Sequence, residues 1–258
     1  MASPTESTLL NDYHLLSYDV LDSTNAEAQR LAGGGASHGA VIWARRQSAG
    51  RGRLGREWVS SEGNLFVTVL LHPPVGLERC PQLSFVAALA VAETLEGILP
   101  ESARVSCKWP NDVLVDGKKI AGILLEAFTT PDAIASRQWI AVGVGINVDN
   151  FPEHVMFPAT CVRDAGVELI SAKIVLSRFI HHFIEAYDLW ATQGFAPIET
   201  AWKARAHRLG KAVEVLVGEE QLSGIFDGID AQGAMLLRDK KKKVTAIHAG
   251  DVFYKEHA

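Results

Sequence analysis

Cysteine is scarce in this 258-residue chain. There are three, Cys80, Cys107 and Cys161, odd in number and with no C-x-x-C spacing. That argues against a disulfide framework or a zinc knuckle and leaves free thiols, so a reducing, cytoplasmic setting is expected. No basic segment followed by a long apolar stretch opens the sequence, so no secretory signal is expected. Nor is there an apolar run of about eighteen residues, so no membrane partner is expected. Basic charge is not in excess either: 25 Lys and Arg stand against 30 Asp and Glu, for a net charge of −5. A protein that coats nucleic acid needs the opposite balance; no nucleic-acid partner is expected, though a local basic site remains compatible. Internal repeats and low-complexity tracts are absent as well.

What is present is an ordinary globular composition, 48% hydrophobic and 21% charged, long enough for one large domain or a domain plus a small module. Residues 1–12 read as a frayed tail. "HLLSYDVLDSTNAEAQRLAGGG" reads as strand, turn, helix and glycine stop, with Thr24 and Glu27 spaced as a capping box. "GAVIWARR" and "NLFVTVLL" read as strands. "PQLSFVAALAVAETLEGIL", apolar all round behind Pro81, predicts a buried helix. Three strands follow, in "ARVSCKW", in "DVLVDGKKIAGILLEAF" folded at Asp116–Gly117, and in "WIAVGVGINV". Two helices come next, through "SAKIVLSRFIHHFIEAYDLW" and "PIETAWKARAH". After about Leu209 the texture changes to short strands with turns every eight to ten residues, the pattern of a small SH3-type β-barrel. The expected class is α+β with a mixed, largely antiparallel sheet, divided as a domain over 1–209 and a barrel over 210–258. The run Lys240–Lys243 is read as a solvated hairpin tip.

The stretch "WARRQSAGRGRLGREW" contains Gly50, Gly52 and Gly55 as G-x-G-x-x-G. A dinucleotide fingerprint needs a helix after its glycines and an acidic residue about twenty positions on. Here "REWVSSEGN" is turn-like, the next element is a strand, and Leu70-Leu71-His72-Pro73 stands where the acid should be. What remains is a flexible basic loop, either solvated or closing over an anion, because Arg51, Arg53 and Arg56 carry forks that match phosphate and carboxylate. A second constellation is "KWPNDVLVDGKKIAGILLE". Lys119 opens an apolar strand, which suits a lysine with an anionic partner, although "DGKK" alone also reads as an exposed hairpin turn. Gly122 suggests close approach by a ligand or backbone. "GVGIN", Gly143 to Asn147, is weak by itself, since strand glycines often mark bulges.

Taken together, "DSTN" (Asp22–Asn25), "QSAGRGRLGREW" (Gln47–Trp58), "KWPNDVLVDGKKIAGIL" (Lys108–Leu124) and "GVGINV" (Gly143–Val148) resemble the biotin–protein ligases, in order and spacing, from about Tyr18 to Asp251. The resemblance implies a class II synthetase-like catalytic domain followed by an SH3-like barrel. It implies ATP-dependent formation of biotinyl-5′-AMP, aided by Mg²⁺ at unassigned ligands, then transfer to a lysine of a biotin carboxyl carrier protein. It also implies roles. Ser23, Thr24, Asn25 and Gln47 meet the biotin ureido ring, and backbone at Arg51, Gly52, Arg53, Gly122 and Gly145 lines the pocket. Lys119 bridges the biotin carboxylate and the α-phosphate. Arg53 holds phosphate, and Asp112 either holds Arg53 or receives the incoming lysine. Asn111 and Asn147 face the nucleotide, and Trp58 covers the adenine side. Some members of the family carry an N-terminal helix-turn-helix domain; with the pattern beginning near residue 18, a monofunctional enzyme is expected. The family implies either monomers or a homodimer paired by sheet edges. Two other assignments stand beside this one: a lipoate–protein ligase, against which "KWPND" and "GRGR" speak, and a non-catalytic biotin sensor.

Overall fold

The computed structural model describes residues 4–8, 13–130, 137–153 and 157–253. Its main sheet has eight strands. They are β1 (Thr5–Thr8), β2 (His14–Leu21), β3 (Ala40–Gln47), β4 (Leu65–Leu71), β5 (Val105–Lys108), β6 (Asp112–Val115), β7 (Lys118–Thr130) and β8 (Arg137–Ile146). The spatial order is β1-β2-β3-β4-β8-β7-β6-β5, and only the β2–β3 pair is parallel. A crossover helix, α1 (Thr24–Gly33), makes that one parallel pair possible, as parallel neighbours require. Every residue of β4 is buried, which places it mid-sheet with both faces covered.

One face carries α2 (Leu83–Glu96), α3 (Ala172–Gln193) and α4 (Phe195–Ala204). Twelve of the fourteen residues of α2 are buried, because it lies between the sheet and α3, as an all-round apolar helix must. In α3 the buried side chains Val175, Leu176, Phe179, Phe183, Tyr187 and Trp190 recur at helical spacing and face α2. The other face is covered by α1 over a smaller cluster that includes Leu21, Ala28, Ala32, Ile42, Leu70 and Trp139. Expected elements and class therefore hold. Two local expectations do not. Thr5–Thr8, taken as frayed tail, pairs with Ser17–His14 as an edge strand; residues 1–3 and 9–12 of that tail lie outside the described residues. Thr24 and Glu27 form no capping box: the N-cap is Ser23, and no side chain caps it. Both side chains are drawn into tertiary contacts instead, described below.

The C-terminal segment forms a second sheet of β9 (Ala212–Val217), β10 (Glu220–Ile229), β11 (Met235–Arg238), β12 (Val244–Ile247) and β13 (Asp251–Phe253), ordered β12-β11-β10-β9-β13 and antiparallel throughout. Among the described residues no pair closes β12 onto β13, so the expected barrel is an open five-stranded sheet here. Lys240–Lys243 does form an exposed turn between β11 and β12. The sheet docks on the larger unit. Trp109 donates its indole N–H to the Gly233 carbonyl at 3.0 Å, and the Gln82 amide donates to Ala231 O at 2.8 Å. Trp202 of α4 meets Phe226 of β10 edge-on. This docking brings β13 to the rim of the cleft that holds the motif residues.

Candidate active site

The floor of the cleft is two strands with side chains removed. Gly122 of β7 lies opposite Gly145 of β8 in the ladder, with no register shift there. Neither is a bulge, the bland reading of "GVGIN". Both are ordinary strand positions where a Cβ would crowd the loop: one added at Gly145 would sit 2.6 Å from the Trp58 ring, and one at Gly122 would sit 3.0 Å from it. Gly143 is emptied for Asn25 in the same way, with its absent Cβ 2.3 Å from Asn25 Oδ1.

One wall is the start of α1. Ser23, Thr24 and Asn25 are all nearly fully buried. Thr24 donates its backbone N–H to Gln47 Oε1 at 2.8 Å, with its hydroxyl 3.2 Å from the same oxygen. Thr68 Oγ1, in the middle of β4, lies 2.6 Å from Asn25 Oδ1 and 2.8 Å from Thr24 Oγ1. A hydroxyl has one proton, and the amide oxygen can only accept. Thr68 therefore donates to Asn25, and Thr24 faces the Thr68 lone pairs. Asn25 Nδ2 donates to Glu126 at 2.7 Å. Gln47 Nε2 donates to Ser60, whose hydroxyl donates to the Trp58 carbonyl at 2.8 Å. The chain of bonds links the buried wall to the loop.

The arginine–glycine loop joins β3 to β4 with no helix after its glycines, against a dinucleotide fold. Gly52 N–H donates to Arg56 O and Trp58 N–H to Gly50 O, closing a small hairpin whose tip, Leu54 and Gly55, has φ of 57° and 72°. Arg51 reaches Glu126 at 3.3 Å. Arg53 donates to Asn111 Oδ1 at 3.1 Å, and burial lowers its pKa from the usual guanidinium value. Arg56 pairs with Asp251 of β13. Asn111 in turn donates to Ile123 O at 2.7 Å.

Lys119 enters by a register slip. Val113 pairs with Ala121 but Leu114 pairs with Lys119, so Ile120 is the extra residue of a bulge in β7. In a regular strand, residues 119 and 122 face opposite sides; the bulge reverses the alternation, as bulges do. Lys119 Nζ thus lies 3.4 Å from where a Gly122 Cβ would be, over the glycine floor. There it pairs with Asp112 at 2.7 Å and sits 5.3 Å from the Trp58 ring centre. The exposed-turn reading of "DGKK" fits Lys118 and fails for Lys119, which is held by an acid.

All of Ser23, Thr24, Asn25, Gln47, Arg51, Gly52, Arg53, Trp58, Asn111, Asp112, Lys119, Gly122 and Gly145 line one cleft, of about 940 Å³ including its open mouth, within the range of ligand sites. Asn147 does not line it. Its side chain is buried and donates to Thr160 O at 3.0 Å, so in this conformation it ties down the 158–162 segment beside Lys119. Asp112 holds Lys119, not Arg53. Trp58 lies on the glycine floor, with its indole N–H buried and unpartnered. Sequence reading missed Thr68, the one polar residue of β4, Glu126, set in the apolar stretch "ILLEAF" of β7, and Asp251 and Phe157, which carry no local signal. Five cationic side chains, Arg51, Arg53, Arg56, Lys108 and Lys119, line the cleft with three acids, Glu57, Asp112 and Asp251, and Glu126 pairs with Arg51 from outside the lining.

Comparison with known proteins places this geometry. Residues 18–147 match the model of the biotin/lipoate A/B protein ligase family, and 209–255 match the biotin protein ligase C-terminal domain. The chain belongs to the biotin/lipoate A/B protein ligase family. Among its relatives in that family, the biotin–[acetyl-CoA-carboxylase] ligase of Paracoccus denitrificans is 42% identical over 90% of this chain and 97% of the relative. The enzyme of the same name from Mycobacterium tuberculosis is 33% identical over 90% of this chain and 85% of its own length. The biotin protein ligase of Aquifex aeolicus, solved in complex with biotin and ATP, superposes with a TM-score of 0.78 at 30% identity, covering 94% of this chain and 98% of that one. The family's ligases therefore match nearly the whole chain, with both sheets included. No described helix is long and apolar enough to cross a membrane.

Proposed function

We propose that this chain is an ATP-dependent biotin ligase that makes biotinyl-5′-AMP and passes the biotinyl group to a lysine of a biotin carboxyl carrier protein. The observation that carries this is the cleft itself: a polar buried wall for a neutral ring, a side-chain-free floor, and Lys119 over that floor beside a cation-rich loop. In the first step a biotin carboxylate oxygen forms a bond to the α-phosphorus and the bond to the bridging oxygen of the leaving pyrophosphate breaks. In the second, the acceptor amine forms a bond to the acyl carbon, AMP departs, and the amine loses its proton. Both steps ask the protein to bring anionic groups together and stabilise developing charge, which positioned cations do. Lys119, now held by Asp112, is placed to exchange that partner for the biotin carboxylate and the α-phosphate. Arg51 and Arg53, now on Glu126, Asn111 and the Gly250 carbonyl, are placed to turn onto phosphate as the loop closes.

Mg²⁺ would accompany the triphosphate in this scheme. Among the described residues no three His, Cys, Asp or Glu side chains cluster as a metal cage. Two carboxylates in the cleft, Asp112 and Asp251, suit an ion bound mainly by phosphates and water; it would supply charge neutralisation on the phosphates. A catalytic unit over 1–209, an acceptor-shaping unit over 210–258 and a cytoplasmic location accompany the proposal. The test is biotin-dependent exchange of pyrophosphate into ATP, followed by transfer of labelled biotin to a carrier domain, with lipoate as the control. Exchange with lipoate and none with biotin would reassign the substrate. No exchange with either would favour a sensor.

A further inference from the structure

Glu126 has no chemical part in the scheme above, yet it joins two sides of the site. Past the Ile120 bulge, β7 pairs with β8 in regular register, so Gly122, Leu124 and Glu126 follow one another on one face of the strand. Gly122 and Leu124 line the cleft. Glu126 ends the row opposite Ala141, two residues along β8 from Gly143, where Asn25 fills the space of the missing Cβ. Its carboxylate accepts from the wall and from the loop. Asn25 Nδ2, at the buried start of α1, donates to Oε2 at 2.7 Å. Arg51 brings one terminal nitrogen to 3.3 Å from Oε1 and 3.4 Å from Oε2. The two donors differ in freedom. Asn25 is only 4% exposed, and Thr68 holds its Oδ1. The Arg51 and Glu126 side chains are 48% and 37% exposed. Asn25–Glu126 is thus the fixed half of the junction, and Arg51 is the exchangeable half. Arg51 and Glu57 also form the backbone bridge at the stem of the loop's hairpin, so an acid that holds the Arg51 side chain holds that stem against the wall.

We propose that Glu126 is the positioning residue that closes the arginine–glycine loop on biotin before ATP is bound: it parks Arg51 against the Asn25 wall and yields it when phosphate arrives. Carboxylate and phosphate compete for one guanidinium. An ion pair this exposed is worth up to about fivefold in an equilibrium, so a triphosphate, with more charge and more acceptor oxygens, displaces it. Asn25 keeps its bond to Glu126 throughout, which holds the carboxylate in place to take Arg51 back after turnover. The proposal deepens the ligase reading above and rests on it.

The test uses the full chain with Glu126→Gln and Glu126→Leu. Glutamine keeps an acceptor for Asn25 and removes the charge that holds Arg51; leucine removes both. On each chain, biotin affinity is measured without ATP, KM for ATP is measured at saturating biotin, and trypsin cleavage after Arg51 and Arg53 is followed by mass with and without biotin, beside a thermal melt. In the wild type, biotin alone should slow cleavage in the loop. Glu126→Gln should keep its melt, weaken biotin by about two- to fivefold and lose most of that protection, while KM for ATP stays level or falls. Biotin and ATP together should restore the protection, because phosphate then holds the loop. Glu126→Leu leaves the buried Asn25 amide without the nearer of its two acceptors, so biotin should weaken by about tenfold or more. A merely structural role would lower the melt and kcat and would not separate biotin from ATP. A raised KM for ATP in Glu126→Gln overturns the proposal, since Glu126 would then serve the phosphate step. So do biotin affinity and protection equal to the wild type's, and so does a wild type that biotin alone does not protect. If Glu126→Leu does not fold, the glutamine variant decides. A wild-type chain that binds no biotin and makes no biotinyl-5′-AMP overturns the ligase reading itself, an outcome distinct from an active wild type with indifferent variants.

Discussion

Gly145→Ala isolates the glycine floor. The added Cβ would sit 2.6 Å from Trp58 Cε2 and Nε1 and 2.8 Å from Cζ2, whereas carbon contacts rest at about 3.5–4.0 Å. The indole, or whatever lies on the floor in its place, must retreat by about 1 Å. Trp58 stands at the end of a partly exposed loop and can move, so overall stability should hold. A ligand held between floor and loop has no such freedom, and over-filling a packed contact costs about 1–3 kcal/mol, or roughly five- to hundredfold in Kd. Calorimetric titration of biotin without ATP reads the effect directly, and a thermal melt checks the fold. Gly33→Ala is the control, since a Cβ there meets nothing within 4 Å. Should Gly145→Ala bind biotin within about threefold of the wild type, the floor is not beneath the ligand and the placement of biotin over Gly122 and Gly145 is wrong.

Other expectations follow from the same geometry. Lys119→Met should lose most biotinyl-5′-AMP formation, because carboxylate and phosphate repel without a cation between them; formation within about threefold of wild type would contradict this. Arg53→Gly should still make the adenylate but release it, with retention weakened about ten- to hundredfold; labelling of a bystander such as albumin above the wild-type level is the readout. Thr68→Val removes the hydroxyl that donates to Asn25 Oδ1 in the buried wall, so the melting temperature and biotin affinity should both fall, by about 1–3 kcal/mol in stability. A valine variant with an unchanged melt would show that the wall does not depend on Thr68. Lys108 has its pKa pushed down from 10.5 to about 8 by burial, so the folded state binds fewer protons than the unfolded one between those values. Its cost to stability is full below about pH 8 and fades as pH rises towards 10.5. Lys108→Met should therefore be more stable than wild type at pH 7, by about 1–3 kcal/mol, and the gap should close by pH 10; a gap that does not depend on pH would refute the burial argument.

Much of the fold was legible in the sequence because its signals are local. Alternation and turn residues mark the strands, and the all-round apolar run over 83–96 marks the helix that both layers cover. Barrel closure was not legible, since a run of short strands sets neighbours but not whether the last returns to the first. Thr5–Thr8 was missed because four polar residues carry no apolar alternation; their place comes from pairing with β2. The capping box failed through competition. Thr24 and Glu27 have the spacing, but Gln47 and Thr68 claim the hydroxyl, while Tyr18 and Arg30 claim the carboxylate.

The site was legible as a set of residue types and not as an arrangement, and Lys119 shows why. From the sequence, a lysine three residues before a glycine in a strand points away from that glycine. What puts the two on one face is a single unpaired residue, Ile120, and that bulge is specified by the partner strand, where Val113 and Leu114 take Ala121 and Lys119 in turn. The same bulge lets the Ile120 carbonyl accept from the Asn147 backbone, while Lys119 bonds on both sides to the 158–160 segment. The backbone that aims the lysine is thus clamped by β6, by Asn147 just past the end of β8, and by the 158–160 segment, before any ligand arrives. Asn147, expected to face the nucleotide, serves in this conformation as one of those clamps. A substitution at Asn147 should then act on adenylation through the position of Lys119, lowering kcat with little change in KM for ATP. A rise in KM for ATP alone would return Asn147 to the nucleotide.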